Sequence, residues 1–142
     1  MESDYDLQSL LGSSADTRPI DGGNTAALDG RLRLVGELLA KAAPGFTGPG
    51  LIYRQPRQQV QTQSIGQHLT MGRDKNCTIS IPDRHEISRR HFEITSQNGR
   101  LILKDETSRN GTKVNGTLIR RRELLNGDLI EAGGVVFVFV VE

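Results

Sequence analysis

Three of the four Asn-Gly pairs in the C-terminal part of this chain separate short segments rich in apolar residues. The pairs are Asn98-Gly99, Asn115-Gly116 and Asn126-Gly127. Asn and Gly both tolerate a positive φ, which the tightest β-hairpin turns require. Residues 91–95 and 100–104 flank the first pair and have strand character, so this stretch carries the strongest hairpin signal in the chain.

Seven further segments are predicted as strands, and most of them are short. They are residues 51–53, 62–71, 78–81, 113–114, 117–119, 129–130 and 135–141. The last is a continuous apolar run of seven residues, which suits a central strand and is far shorter than the roughly 18 residues of a membrane span. Many short strands joined by Gly-rich turns indicate a sandwich or a barrel, and therefore an all-β fold.

The first 47 residues differ from the rest in composition. They carry four basic and seven acidic residues, a net charge of −3, whereas the remainder carries 14 basic and 10 acidic residues, a net charge of +4. Residues 12–25 are rich in Gly, Ser, Asp and Thr, and we expect them to be disordered. Residues 26–43 are predicted to form a short amphipathic helix, with Thr25 as a candidate N-cap. The apolar stripe of this helix is Leu28, Leu32, Val35 and Leu39. We therefore divide the chain into a tail, residues 1–47, and a domain, residues 48–142.

The overall composition bears on cellular setting and on partners. The net charge is +1, which by itself favours neither a nucleic acid nor a membrane as partner. Cys77 is the only cysteine, so an internal disulfide is excluded and a reducing compartment fits. The acidic start of the sequence is followed by no signal-like apolar core. We expect a soluble cytoplasmic protein that requires no cofactor and no metal ion.

Polar and basic residues concentrate in three loop segments, residues 71–74, 87–91 and 105–112. Arg73 offers a planar fork of donors that suits a phosphate, and Ser88 offers a hydroxyl and a backbone N–H. Asn110 offers an amide that can hold a peptide backbone through both its donor and its acceptor. Together these groups suit an anion that is attached to an extended peptide.

The order and spacing of these residues resemble the forkhead-associated (FHA) family. The matching motifs are Gly72-Arg73, Ser88-x-x-His91, Asp105-x-x-Ser108-x-Asn110-Gly111-Thr112 and Val114-Asn115-Gly116. The resemblance covers about residue 50 to 142. It implies an eleven-stranded β-sandwich of the FHA/SMAD-like type and a non-catalytic function, the binding of phosphothreonine in short sequence contexts.

The resemblance also implies roles for individual residues. Arg73 and Ser88 are expected to contact the phosphate, and Asn110 is expected to hold the peptide backbone. Arg89 and Arg109 stand where many members of the family carry smaller polar residues. These two cations either strengthen binding and favour acidic peptides, or point to solvent.

Three further positions are expected to shape the loops without touching the ligand. They are Gly72, His91 and Gly111.

An enzyme and a metal site compete with the binding module as interpretations of these residues. Ser88, His91 and Asp105 could form a hydrolase triad, but no Gly-x-Ser-x-Gly motif is present, and Ser88 and His91 lie only three positions apart. A metal site would use His68, His85 and His91, whose spacing matches no known ligand pattern.

Nucleic-acid binding and phosphate-independent protein interaction are competing functions with macromolecular partners. Aromatic residues make up 4% of the chain and Trp is absent, which disfavours nucleic-acid binding by base stacking. Residues 120–122 are three consecutive arginines, which we interpret as a solvated turn. The stronger competitor is an FHA fold that mediates protein interaction or oligomerisation without any dependence on phosphate.

The expected partner is a Thr-phosphorylated protein or peptide, with a Ser/Thr kinase acting upstream. The tail itself contains Thr17, Thr25 and Thr47, and the first two each have an aliphatic residue three positions later. A phosphorylated tail could therefore occupy the binding site of its own chain or of a second copy.

Overall fold

The computed structural model describes the backbone of residues 22–141 and the side chains of residues 28–141. Within these residues, one helix is followed by eleven strands. The helix α1 spans Gly22–Lys41; the strands are β1 Gly50–Arg54, β2 Gln61–Ser64, β3 His68–Gly72, β4 Ile79–Ser80, β5 Phe92–Gln97, β6 Arg100–Asp105, β7 Thr112–Val114, β8 Thr117–Ile119, β9 Arg121–Glu123, β10 Leu129–Ala132 and β11 Val135–Val140. The predicted all-β fold of eleven strands, preceded by a short helix, is confirmed.

The strands form two sheets, which pack face to face as a sandwich. The six-stranded sheet has the order β2-β1-β11-β10-β7-β8, and the five-stranded sheet has the order β4-β3-β5-β6-β9. The first and last strands of the sandwich are neighbours, with Gly50 opposite Val140. This arrangement places the loops that follow β3, β4 and β6 close to one another.

The core between the sheets is centred on three aromatic rings. Phe137 of β11 stacks on Tyr53 of β1 with 5.5 Å between the ring centroids. Phe92 of β5 meets Phe137 edge to face at 5.3 Å, so this contact joins the two sheets. Such aromatic pairs add about 0.5–1.5 kcal/mol to the effect of apolar burial alone.

The strand β11 is buried on both faces, which explains its unbroken apolar sequence. Phe137 and Phe139 point into the core between the sheets. Val138 and Val140 point to the other face, where they pack in a second cluster with Leu38 of α1. A strand covered on both sides needs apolar residues at every position and therefore loses the usual alternation.

The helix differs from its prediction in its bounds and in the side that it buries. It begins at Gly22 and ends at Lys41, so the predicted range 26–43 is wrong at both ends. Thr25 lies inside the helix instead of capping it, and residues 22–25 are helical where disorder was expected. The remainder of the predicted disordered stretch lies outside the described residues. No helix in the described part of the chain has the length and apolar character that a membrane crossing needs.

Adjacent leucines show which side of α1 packs on the sandwich. Val35 is buried as expected, but the next core residue is Leu38, which is fully buried, while Leu39 is 39% exposed. The sequence has apolar residues on more than one side of the helix, and the sheet selects one of them. The boundary that we predicted between tail and domain, after residue 47, stays a prediction.

Two strand predictions are corrected by the sheet topology. The single strand expected over residues 62–71 is two strands, β2 and β3, which lie in different sheets. Residues 120–122, interpreted as a solvated turn, largely belong to the edge strand β9, which pairs with β6. Its charged sequence hid it, because an edge strand is held by backbone hydrogen bonds and tolerates charged side chains.

Replacing Leu38 by Ala should destabilise the protein by about 2–5 kcal/mol, because it removes a fully buried side chain between α1 and the sheet. The matched control is Leu39→Ala on the next residue, which is 39% exposed and should change stability by about 0.5 kcal/mol or less. Urea denaturation measures both free energies of unfolding. Equal losses for the two variants would contradict the packing of α1 described above.

Candidate functional site

The end of β3 is held by the segment that precedes β5. The N–H of His91 donates to the carbonyl of Met71 over 2.8 Å, and the N–H of Arg73 donates to the carbonyl of Ser88 over 3.0 Å. The chain from Ser88 to His91 therefore runs alongside the start of the β3–β4 loop. These backbone bonds place Arg73 and Ser88 next to each other.

Gly72 permits this close approach. A Cβ at this position would lie 2.1 Å from the carbonyl oxygen of Arg89 and 2.9 Å from Cα of Arg90. Backbone atoms cannot move away as a flexible side chain would, so any larger residue must push the two segments apart. Gly72 thus lies where the predicted architectural role requires it, and that role itself stays a prediction.

Arg73 and Ser88 are themselves tied to their surroundings. Nε of Arg73 donates to the carbonyl of Ile87 over 2.6 Å, which fixes the base of the guanidinium. The Ser88 hydroxyl accepts the N–H of Arg109 over 2.9 Å. Ser88 therefore connects the β4–β5 loop with the β6–β7 loop.

His91 is fully buried, and both of its ring nitrogens face backbone groups. Nδ1 accepts the N–H of Ser88 over 3.0 Å, and Nε2 lies 2.9 Å from the carbonyl oxygen of Gly111. A neutral ring with its proton on Nε2 satisfies both contacts. Since the ring binds the backbone of Ser88 and not its hydroxyl, the geometry gives no support to a hydrolase triad.

The β6–β7 loop is organised around the carboxylate of Asp105. This carboxylate accepts the N–H of Ser108 over 2.8 Å, the Ser108 hydroxyl over 2.7 Å and the Thr112 hydroxyl over 2.7 Å. The Ser108 oxygen accepts the N–H of Gly111 over 2.9 Å. Gly111 has a φ of +87°, a conformation that glycine adopts without strain.

The same contacts set the charge of Asp105. Burial raises the pKa of this carboxyl, but the hydrogen bonds from Ser108 and Thr112 outweigh burial, so its pKa lies below the usual value. Asp105 is therefore ionised at neutral pH and stays a full acceptor for the loop. The sequence showed Asp105 as part of a motif but gave no sign of this network.

Asn110 projects from the tip of the same loop. Its side chain is exposed, and Nδ2 donates to the carbonyl of Glu86 over 2.9 Å. A cavity of about 490 Å³ opens beside Asn110 and includes Arg84, Glu86, Glu131 and Gly133 in its lining. The contribution of Glu86 was missed in the sequence, because it acts through its backbone carbonyl.

The arginines predicted for this edge differ in exposure, but all three lie outside the ion pairs of the described residues. Arg89 and Arg109 are exposed, and Arg73 is half-buried. None of the ion pairs found among the described residues involves Arg73, Arg89 or Arg109. Their charges are thus not neutralised by direct contact within that part of the chain, and this loop edge can attract an anion.

The histidines considered for a metal site are not brought together. His91 is engaged by the backbone, and His68 lies 3.1 Å from the carboxylate of Glu93 on a different part of the sheet. Across residues 28–141, no group of three or more His, Cys, Asp or Glu side chains is arranged to hold a metal ion.

Comparison with known proteins gives the same family for the domain. A family model described as FHA domain matches residues 69–133. The E3 ubiquitin-protein ligase CHFR of Danio rerio is 34% identical over 70 residues, which are 46% of this chain and 11% of that protein. The FHA domain-containing protein FhaA of Mycobacterium tuberculosis is 36% identical over 63 residues, 44% of this chain and 12% of that protein. This chain therefore corresponds to a small part of either relative.

Solved structures share the fold over most of the described residues. The FhaA FHA domain complexed with the intracellular domain of Rv3910 is 27% identical, with a TM-score of 0.55 over 62% of this chain and 97% of that chain. The FHA structure of Rv0020c is 26% identical, with a TM-score of 0.57 over 70% of this chain and 100% of that chain. An FHA domain studied for its phosphothreonine-dependent interactions is 24% identical, with a TM-score of 0.59 over 66% of this chain and 97% of that chain.

Replacing Gly72 by Ala should destabilise the protein by about 1–3 kcal/mol, because the new Cβ would overlap the carbonyl of Arg89. The matched control is Gly66→Ala, since a Cβ at Gly66 meets nothing within 4 Å. Thermal denaturation should show a lower melting temperature for the first variant only. An unchanged melting temperature for Gly72→Ala would contradict the close approach of the two segments.

Proposed function

With this chain established as a member of the FHA family through the domain at residues 69–133, we propose that it is a non-catalytic module that binds phosphothreonine in an extended peptide or protein segment. The observation that carries the proposal is the convergence of Arg73, Ser88 and Asn110 on one loop edge. Their loops are joined by the hydrogen bond between Ser88 and Arg109 and by the His91 ring.

The guanidinium of Arg73 and the hydroxyl of Ser88 would contact the phosphate. A phosphothreonine carries about −1.5 to −2 charges at neutral pH and three acceptor oxygens. Because Nε of Arg73 already donates to Ile87, its terminal nitrogens are the donors left for the anion. Arg89 and Arg109 would add attraction over a longer range and favour acidic residues near the phosphothreonine.

Asn110 would hold the backbone of the peptide beside the phosphate. One N–H of its amide is directed to Glu86, and the exposed side chain retains a second N–H and the Oδ1 acceptor. The cavity next to Asn110 gives the peptide a path away from the phosphate. Gly72, His91 and Gly111 would act through the shape of the loops.

The expected affinity suits reversible signalling downstream of a Ser/Thr kinase. Hydrogen bonds to charged groups contribute about 1.5–3 kcal/mol each. Two or three of them, less the cost of ordering the peptide, correspond to roughly micromolar binding, near −8 kcal/mol. The partner would be a protein phosphorylated on threonine; that the partner is a protein is in line with the complex of the FhaA FHA domain with the intracellular domain of Rv3910.

A phosphothreonine peptide selected from a library should bind the wild-type chain, and the same peptide without phosphate should not. Arg73→Ala and Ser88→Ala should each weaken binding roughly tenfold to a hundredfold, since each removes a hydrogen bond to the phosphate worth about 1.5–3 kcal/mol. Isothermal titration calorimetry measures the dissociation constants.

Arg100→Ala is the matched control for charge, because Arg100 lies in the distant β5–β6 hairpin and is exposed. It should leave binding unchanged. Because Arg73 also bonds to Ile87, Arg73→Ala removes a contact within the fold as well. The melting temperatures of the variants show whether weaker binding comes with a loss of stability. Equal binding of the two peptides would refute the proposed function and favour a phosphate-independent interaction domain.

The chain's own tail is a further candidate partner. Thr25 lies in α1, and it would have to leave the helix to be bound in an extended form. Thr17 precedes α1, which begins at Gly22, and lies outside the described residues. We therefore propose phosphorylated Thr17, and not Thr25, as the tail residue that would compete for the site.

After treatment with a kinase that phosphorylates both threonines, the wild-type chain should bind the phosphothreonine peptide more weakly. Thr17→Ala should keep its affinity after the same treatment, while Thr25→Ala should lose affinity as the wild type does. Mass spectrometry verifies the sites, and fluorescence anisotropy measures binding. An equal loss in Thr17→Ala would disprove competition by this residue.

A further inference from the structure

A second cavity lies on the other side of the β6–β7 loop, between the edge strands β8 and β9. Its volume is about 590 Å³. Its lining includes Lys104, Thr107, Leu118, Ile119, Arg120 and Arg121. We refer to it as the β8–β9 groove.

The β8–β9 groove combines an uncovered apolar wall with a basic rim. Leu118 is 63% exposed, the largest exposure among the large apolar side chains of the described residues. Lys104, Arg120 and Arg121 are all exposed around it. The carboxylate of Asp105 also borders the groove, but it is committed to Ser108 and Thr112. The groove therefore suits a segment that is both apolar and acidic.

We propose that residues 1–21 of this same chain dock in the β8–β9 groove. The direction of α1 supports this docking. The guanidinium of Arg31 lies against the β7–β8 turn, where it would be 2.6 Å from a Cβ on Gly116. The helix continues from Arg31 back to Gly22, roughly 14 Å at 1.5 Å per residue. The N-terminal end of α1 therefore points to the side of the sandwich where β8 is the edge strand.

The composition of residues 1–21 also matches the groove. They contain five carboxylates and one arginine, opposite in sign to the three cations of the groove. The carboxylates belong to Glu2, Asp4, Asp6, Asp16 and Asp21. Tyr5, Leu7, Leu10 and Leu11 supply the apolar side chains that an apolar wall requires. No other stretch of the chain outside the sandwich and α1 has this combination.

This docking does not use the phosphate site. The β6–β7 loop separates the two cavities, with Thr107 and Ser108 facing the groove and Asn110 facing the other cavity. The contact needs no phosphorylation. Since Thr17 belongs to the same segment, docking in the groove and the competition proposed for phosphorylated Thr17 are alternative states of residues 1–21. The opposite charges attract over about 8–10 Å at ordinary ionic strength, so high salt should weaken the contact.

Paramagnetic relaxation in the whole chain of 142 residues tests the proposal. A spin label is attached at Ser9→Cys in a Cys77→Ser background, where Ser retains the donor that Cys77 directs to Arg89. We expect the amides of Thr107, Leu118 and Ile119 to lose intensity. The amides of β2, at the opposite edge of the six-stranded sheet, should keep theirs and serve as the internal control.

Variants of the groove identify the surface that holds residues 1–21. Leu118→Ser and the double variant Arg120→Glu/Arg121→Glu should restore the lost intensities. Leu125→Ser, which changes a 45% exposed leucine outside the groove, should not. The dispersion of the same spectra shows that each variant is folded.

The proposal is overturned if the groove amides keep their intensity, or if Leu118→Ser leaves the effect in place. A mixed sample shows whether residues 1–21 dock within their own chain or on a second copy. In this sample one population of chains carries the isotope label and the other carries the spin label. Intensity loss of equal size in the mixed sample would assign the groove to a second copy and reject docking within the chain.

Discussion

The loop edge that carries Ser88 and Asn110 depends on the buried imidazole of His91. One ring accepts the N–H of Ser88 and donates to the carbonyl of Gly111, and so joins the β4–β5 loop to the β6–β7 loop. Without the ring, each of these polar groups would lose its partner in the interior, at a cost of about 1–3 kcal/mol each. The ring thus contributes to the placement of Ser88 and of Gly111, the neighbour of Asn110, together with the Asp105 network.

The backbone of this edge is held by hydrogen bonds and close packing within the domain itself. Gly72 lets the β3–β4 loop lie against the backbone of Arg89, and Asp105 holds the turn of the β6–β7 loop through three hydrogen bonds. A preorganised site loses less entropy on binding, which leaves more of each contact for affinity. Arg89 and Arg109 are exposed and take part in none of the ion pairs of the described residues, so they leave positive charge at this edge.

The sequence predicted those features that local residues determine. The Asn-Gly turns have the positive φ values that their residue types favour at Asn98 and Asn115, and the strands beside them were located. The order and spacing of the motifs also pointed to Arg73, Ser88 and Asn110 as candidate site residues. What escaped prediction depends on distant partners. The charged strand β9 exists because β6 offers it a backbone edge, and Leu38 is buried in place of Leu39 because the sheet meets only one side of α1.

The pairing of β1 with β11 has a consequence for how such a domain can be used in larger proteins. Gly50 and Val140 lie side by side, while the other end of β11 begins next to the cavity beside Asn110. A strand of six residues at about 3.4 Å per residue separates these two ends by roughly 17–20 Å. The polypeptide thus enters and leaves the sandwich at the end opposite the loops that carry Arg73, Ser88 and Asn110. Sequence that continues from this end therefore does not have to pass those loops.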